Sequence, residues 1–195
     1  ENDVPEDTFC FNEPLEHKGV FNGILTGQCA EIVEYTDNEN AAVCNLCSIS
    51  LPSYVDVENG TFDFEKLGYV SRLLTENMNI IIDKNFYPVK QAKKSNEEMR
   101  PTGIGVQGLA DVFQMLDLAW DDKEARLLNK QIFAVIYYNS LQTSMELAKK
   151  DGSYSYFHGS PASKGILQFD MWGIEPENIN GTLDWKQLKI AWMIK

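Results

Sequence analysis

The sequence predicts an α/β chain, on three observations. Residues 29–51 alternate or run together in the manner of strands, the apolar spacing turns helical from Asp63 to Gly152, and residues 1–28 are short runs broken by acidic residues, proline and glycine. With 195 residues, 44% of them hydrophobic, the chain is long enough to bury a sizeable core.

In chain order, "TFCFN" and "GVFNGIL" are β-like, and no long helix fits before residue 29. "CAEIVEYT", Cys29 to Thr36, alternates as a strand does, "DNEN" reads as a turn, and "AAVCNLCSISL" is a second strand or a mixed apolar run. Across "DFEKLGYVSRLLTENMNIII", Phe64, Leu67, Val70, Leu74, Met78 and Ile81 recur at helical spacing, which predicts an amphipathic helix. "KKSNEEMRPTG" reads as a polar loop. "VQGLADVFQMLDL" predicts a second helix with Leu109, Val112, Phe113 and Leu116 on one side. "KEARLLNKQIFAVIYYNSLQTSMELAKKDG" predicts a long third one that stops at Gly152, with lysines in its last turn as the helix dipole favours. The stretch "SYSYFHGSPASKGILQFDMWG" is loop-rich, and "LDWKQLKIAWM" starts one more helix.

Charge and hydropathy exclude several classes of function. A net charge of −12 with no run of lysine or arginine excludes wrapping a nucleic acid polymer, whose binding rests on phosphate neutralisation. An anionic small molecule still fits if a few local groups serve it. No apolar run approaches the roughly 20 residues that span a bilayer, and no signal-peptide pattern opens the chain, so a cytoplasmic location without membrane contact is expected. The chain opens on Glu1 and closes on "IAWMIK", which suggests a piece of a longer product. Four cysteines, Cys10, Cys29, Cys44 and Cys47, are too few for a disulfide scaffold of this size; buried, catalytic or metal-bound roles remain.

Three patterns could carry chemistry. "GIGVQG", Gly103 to Gly108, fits G-x-G-x-x-G, with Asp122 near the distance of a ribose-binding acid. That fingerprint needs a buried strand running into the turn, and "SNEEMRPT" precedes it; the competing reading is glycines that let a helix approach its neighbour. Cys44 and Cys47 form C-x-x-C, but a zinc site wants two more ligands at similar spacing and a redox pair wants a helix N-terminus, so Cys47 is better read as a small buried residue. Cys29 and Glu31, two apart on an expected strand, would share a face. A carboxylate beside a thiol makes a poor thiolate nucleophile, yet suits a thiol that reacts as a hydrogen-atom donor or radical while the carboxylate handles a proton. The competing reading is a structural cysteine beside a solvated glutamate.

From Cys29 onward, "CAEIVEYT", "AVCNLCSISLP", "RPTGIGVQGLADVFQ", "LLNKQIFAVIYYNSLQTSMELAK", "GSPASKGILQFDMWG" and "DWKQLK" occur in an order that resembles the large, catalytic subunit of class I ribonucleotide reductase of the eukaryotic and large-DNA-virus type, over residues 29–190. The resemblance implies part of a ten-stranded α/β barrel with outer helices for residues 29–195. The implied activity is radical-based reduction of ribonucleoside diphosphates to deoxyribonucleoside diphosphates. Cys29 falls on the thiyl-radical cysteine, Glu31 on the general base at the 3′ hydroxyl, and Cys44 on one of two redox cysteines, whose partner lies outside the chain. Cys47 falls where the family usually has a small residue such as alanine. The segment itself is expected to bind no metal or cofactor directly. The full enzyme implies nucleoside triphosphate effectors, a small subunit with a metal and tyrosyl radical, thioredoxin or glutaredoxin as reductant, and a homodimer of large subunits. Because its site is divided, this chain alone is expected to be inactive.

The resemblance fails at Thr26, Gly27 and Gln28, where the family has Ser-Asn-Leu. Residues 1–28, with "DTFCFNEPLEHKGVFNGILTGQ" before a cysteine, resemble instead the C-terminal end of an intein. On that resemblance Gln28 cleaves the chain through its own amide and Cys29 is the acceptor thiol. His17 is the assisting histidine. Cys10 and Thr26 would act only in a mechanistic class with a cysteine nucleophile at that place. The upstream part of the same protein is then a partner. Two alternatives stand beside the reductase reading: an autoprocessing element, and an inactive reductase relative with a structural or regulatory role.

Overall fold

The computed structural model describes residues 18–21, 24–27, 34–179 and 181–193. "TFCFN" and most of the strand expected from Cys29 lie outside the described residues. Its described end, Glu34 to Thr36, is not a strand. "GVFNGIL" is not one strand but parts of two, β1 (Lys18–Phe21) and β2 (Ile24–Gly27), paired antiparallel with Phe21 opposite Ile24. The dipeptide between them in the sequence, Asn22-Gly23, is the pair that two-residue hairpin connections favour. The expected turn at "DNEN" is present: the Asp37 carboxylate accepts from the backbone N–H groups of Glu39 and Asn40 at 2.8 and 2.7 Å.

Strand β3 (Asn45–Ser50) turns inward Asn45 and Ile49, with Cys47 half-buried between them, and leaves Leu46, Ser48 and Ser50 exposed. It runs into a 3-10 turn at Leu51–Tyr54 and a short hairpin of β4 (Val55–Asp56) and β5 (Thr61–Phe62).

Helix α1 (Phe64–Lys84) is capped by Asp63, whose side chain accepts from the Lys66 N–H at 2.8 Å. Its buried stripe runs through Leu67, Ser71, Thr75, Met78 and Ile82, rotated from the apolar positions expected, and Ile81 is exposed. Two hydroxyls sit in that stripe without loss because Ser71 and Thr75 each donate to a carbonyl one turn back, at 2.8 Å.

The expected polar loop at "KKSNEEMRPTG" is instead mostly helix. α2 (Lys90–Met99) is polar nearly all round and buries only Ala92, Ser95 and Asn96, so apolar periodicity could not reveal it. It stops at Arg100, in the left-handed region (φ 49) before Pro101. The Arg100 guanidinium reaches the Asn79 side chain (2.8 Å) and the Asp83 carboxylate (2.9 Å), tying α2 to α1.

The helix expected from "VQGLADVFQMLDL" begins later, as α3 (Leu109–Met115), because Val106 and Gln107 belong to strand β6 (Thr102–Gln107). β6 lies parallel to β3, with Asn45 opposite Thr102 and Ser50 opposite Gln107. Parallel neighbours need a long crossover, and α1 and α2 supply it. The long helix α4 (Lys123–Asp151) packs on α1 and ends at Gly152 as expected. Gly68 permits the approach: a Cβ there would lie 2.9 Å from the Asn139 side-chain nitrogen. After two 3-10 turns, α5 (Gln168–Trp172) and α6 (Trp185–Met193) close the chain. The Trp185 ring holds them to α4, 5.1 Å from Tyr138 and 5.1 Å from Phe169 between centroids.

Among the described residues the strands form three two-stranded sheets. They do not form a closed barrel; the one parallel pair, β3 with β6, has both outer edges without a neighbouring strand there.

Gly108 joins β6 to α3 at φ +78, and a Cβ there would lie 2.6 Å from Pro52 Cδ; Gly60 has φ +62 and nothing within 4 Å. Gly108→Ala is therefore expected to lose about 3 kcal/mol in urea unfolding against about 1 kcal/mol for Gly60→Ala. Equal losses would show that the approach of Pro52 to Gly108 costs nothing to disturb.

Candidate functional site

The described part of the candidate site centres on Cys44, immediately before β3. Its alternation places it with Leu46, Ser48 and Ser50, on the face turned away from α1 and α4. On β6, Gly103 and Gly105 are paired with Leu46 and Ser48, so that face carries little side-chain bulk. The Cys44 thiol is half-buried and 3.9 Å from the Asn45 carbonyl. Its pKa is pushed up to about 11, first by burial and then by the hydrogen bond and negative charge of Glu34. The thiol is thus held neutral, as a hydrogen donor beside a carboxylate.

Cys47 falls on the opposite face, with Asn45 and Ile49, and burial alone raises its pKa. Both thiols are free. With Cys44 just before β3 and Cys47 three residues on within it, the two point to opposite sides, so C-x-x-C is not a chelate or a disulfide pair here. "GIGVQG" is likewise not a phosphate turn. Its first two glycines lie inside β6 itself, Gly108 is the left-handed cap of α3, and the Asp122 carboxylate accepts from the Ala119 N–H at 2.7 Å.

Cys10, His17, Gln28, Cys29 and Glu31 lie outside the described residues; Thr26 lies in β2, opposite Gly19. The residues brought together are therefore Cys44 and Glu34. Glu34 was missed in the sequence, because it and Cys44 lie in separate segments divided by the turn at Asp37 and no single-element period relates them.

Also missed was a buried polar chain behind the strand. Asn45 donates to Asn96 Oδ1 (3.0 Å) and to the Pro101 carbonyl (3.1 Å), Asn96 donates to the Tyr87 hydroxyl, and that hydroxyl donates to the Ile82 carbonyl (2.7 Å). An asparagine at the buried start of a strand was the available signal, since strands disfavour it. A cavity of about 650 Å³, lined in part by Asn79, Arg100, Ile104, Tyr137 and Ser140, lies on the helical side of the sheet and does not include Cys44.

The family model described as "Ribonucleotide reductase, barrel domain" matches residues 16–193. The chain belongs to the ribonucleotide reductase barrel-domain family. It is 51% identical over 178 residues to the ribonucleoside-diphosphate reductase large chain of Cryptosporidium parvum, covering 91% of this chain and 22% of that protein. The large chain 2 of Saccharomyces cerevisiae is 52% identical over 165 residues, covering 83% of this chain and 19% of that protein. For the large subunit of Danio rerio the figures are 52% over 161 residues, 83% and 20%. The chain spans about a fifth of the length of the curated relatives it matches. In this ribonucleotide reductase barrel-domain chain, no described helix is long and apolar enough to cross a membrane.

Alkylation of Cys44 in the intact protein should rise with pH toward a midpoint near 11, because the neutral thiol is favoured over the thiolate. Glu34→Gln removes a negative charge that disfavours ionisation, so the midpoint should move down while staying above the ordinary 9.0, burial being the larger cause. A midpoint that stays put or rises would remove Glu34 from the site.

Proposed function

We propose that the chain is part of the catalytic barrel of a ribonucleoside-diphosphate reductase large subunit, which reduces ribonucleoside diphosphates to 2′-deoxyribonucleoside diphosphates by radical chemistry. The observation that carries this reading is the placement of Cys44. A neutral, half-buried thiol sits immediately before a parallel strand, on the face free of helices, in a chain of this family. In this reading Cys29 forms the thiyl radical that takes the 3′ hydrogen, Glu31 is the base at the 3′ hydroxyl, and Cys44 gives reducing equivalents to the 2′ position, ending in a disulfide with a cysteine outside this chain. A metal and tyrosyl radical in a small subunit would start the radical, thioredoxin or glutaredoxin would reduce the disulfide, and nucleoside triphosphates would regulate a large-subunit homodimer in the cytoplasm. In the intact enzyme with its small subunit and reductant, Cys29→Ser and Cys44→Ser are each expected to lower turnover at least about a hundredfold, and Cys47→Ser less than about threefold. Full turnover in Cys44→Ser would defeat the assignment.

A second reading concerns the junction between Gln28 and Cys29. The departure from the family pattern at Thr26, Gly27 and Gln28, directly before a cysteine, favours residues 1–28 as the end of an intein whose departure joins Cys29 to an upstream segment. Gln28 would be the cleaving residue, His17 its assistant, and Cys10 with Thr26 an alternative nucleophile pair. Against it, the family match begins at residue 16, upstream of the junction. Mass spectrometry of the expressed precursor is expected to find a product whose mature sequence continues from Cys29, lost in Gln28→Ala. If the product is the same with and without Gln28, the segment is an ordinary part of the reductase.

A further inference from the structure

We infer that Asn96 and Tyr87 are positioning residues for Cys44, acting through Asn45. This rests on the proposed role of Cys44. The direction of the buried chain is fixed at both ends by groups that can only accept. Pro101 and Ile82 offer carbonyls, so Tyr87 must donate to Ile82, accept from Asn96, and leave Asn96 Oδ1 to accept from Asn45. The chain therefore has one polarity and ties the first residue of β3 to α2, to the residue just before β6, and to the last turn of α1.

Stability alone does not account for it. Asn96 is fully buried and Asn45 nearly so, and an apolar set of the same volume would fill the site without desolvating two amides. What the amides add is register. Asn45 must reach Asn96 and Pro101 together, and a slip of one residue would put Cys44 or Leu46 in its place and invert the faces of the strand. With Asn45 held on the helical face, its neighbour Cys44 is sent to the other face, beside Glu34.

The test compares the thiol just before β3 with the one inside it, in the intact protein. Iodoacetamide labelling of Cys44 and Cys47 is followed by peptide mass spectrometry in wild type, Asn96→Ala and the milder Tyr87→Phe, which removes one hydroxyl and no bulk. Releasing Asn45 lets the strand slip and exchange its faces, so labelling of Cys44 relative to Cys47 should fall at least about fivefold in Asn96→Ala and about twofold in Tyr87→Phe. In the assembled enzyme kcat should fall about tenfold or more in Asn96→Ala while KM for the nucleoside diphosphate stays within about twofold, since a misplaced reacting group costs rate more than binding. Labelling of both thiols rising together, in Tyr87→Phe as well, would show general loosening and overturn the inference; so would an unchanged ratio in both variants. The labelling ratio reports where the thiol lies whether or not it takes part in reduction. A failed redox role for Cys44 would instead appear as full turnover in Cys44→Ser.

Discussion

The parallel pairing of β3 with β6 is the constraint on which the described structure depends. Strands that run the same way cannot be joined by a tight turn, so the chain between Ser50 and Thr102 has to leave the sheet, run back along it and re-enter. That return is α1, whose buried stripe lies against the sheet and α4. Since α1, α4 and the aromatic group around Trp185 occupy the same side, one face of the pair is covered and the other is open. The difference between Cys44 and Cys47 follows directly, although nothing in their chemistry distinguishes them.

The covered side is built with more polar atoms than an apolar core requires. Ser71 and Thr75 in the stripe of α1, and Thr143 in α4, satisfy their hydroxyls on their own helices and so pack like small apolar residues. Asn45, Asn96 and Tyr87 differ in kind, because their bonds join separate elements, Asn45 reaching Asn96 51 positions away. Bonds of the first type make burial tolerable. Those of the second choose one arrangement of strand and helices over its near alternatives, at the point where a reactive thiol has to face a particular way.

The elements with strong local signals were legible without coordinates. α1 carries an apolar period, α4 is a long helix-forming run that Gly152 stops, and the turn at "DNEN" follows from the Asp37 side chain. Less was legible where local signals conflicted with the tertiary outcome. α2 has almost no apolar face, and its helix is held by Ala92, Asn96 and the Arg100 clamp on α1, all of which depend on residues elsewhere in the chain. β6 was concealed in a glycine pattern that resembles a turn, and it is a strand because β3 lies beside it.

For the candidate site the division is similar. The sequence by itself determined which family the motifs belong to and that Cys44 falls on a redox-cysteine position of that family's pattern, because motif order is a property of the chain alone. It also set the helical period of α1 and the end of α4 at Gly152. Only the tertiary structure decided which face Cys44 and Cys47 take, that Glu34 stands beside Cys44, and that Asn45 is anchored through Asn96 and Tyr87. Those facts arise where segments distant in sequence meet, and a thiol's pKa and direction are set by its neighbours in space.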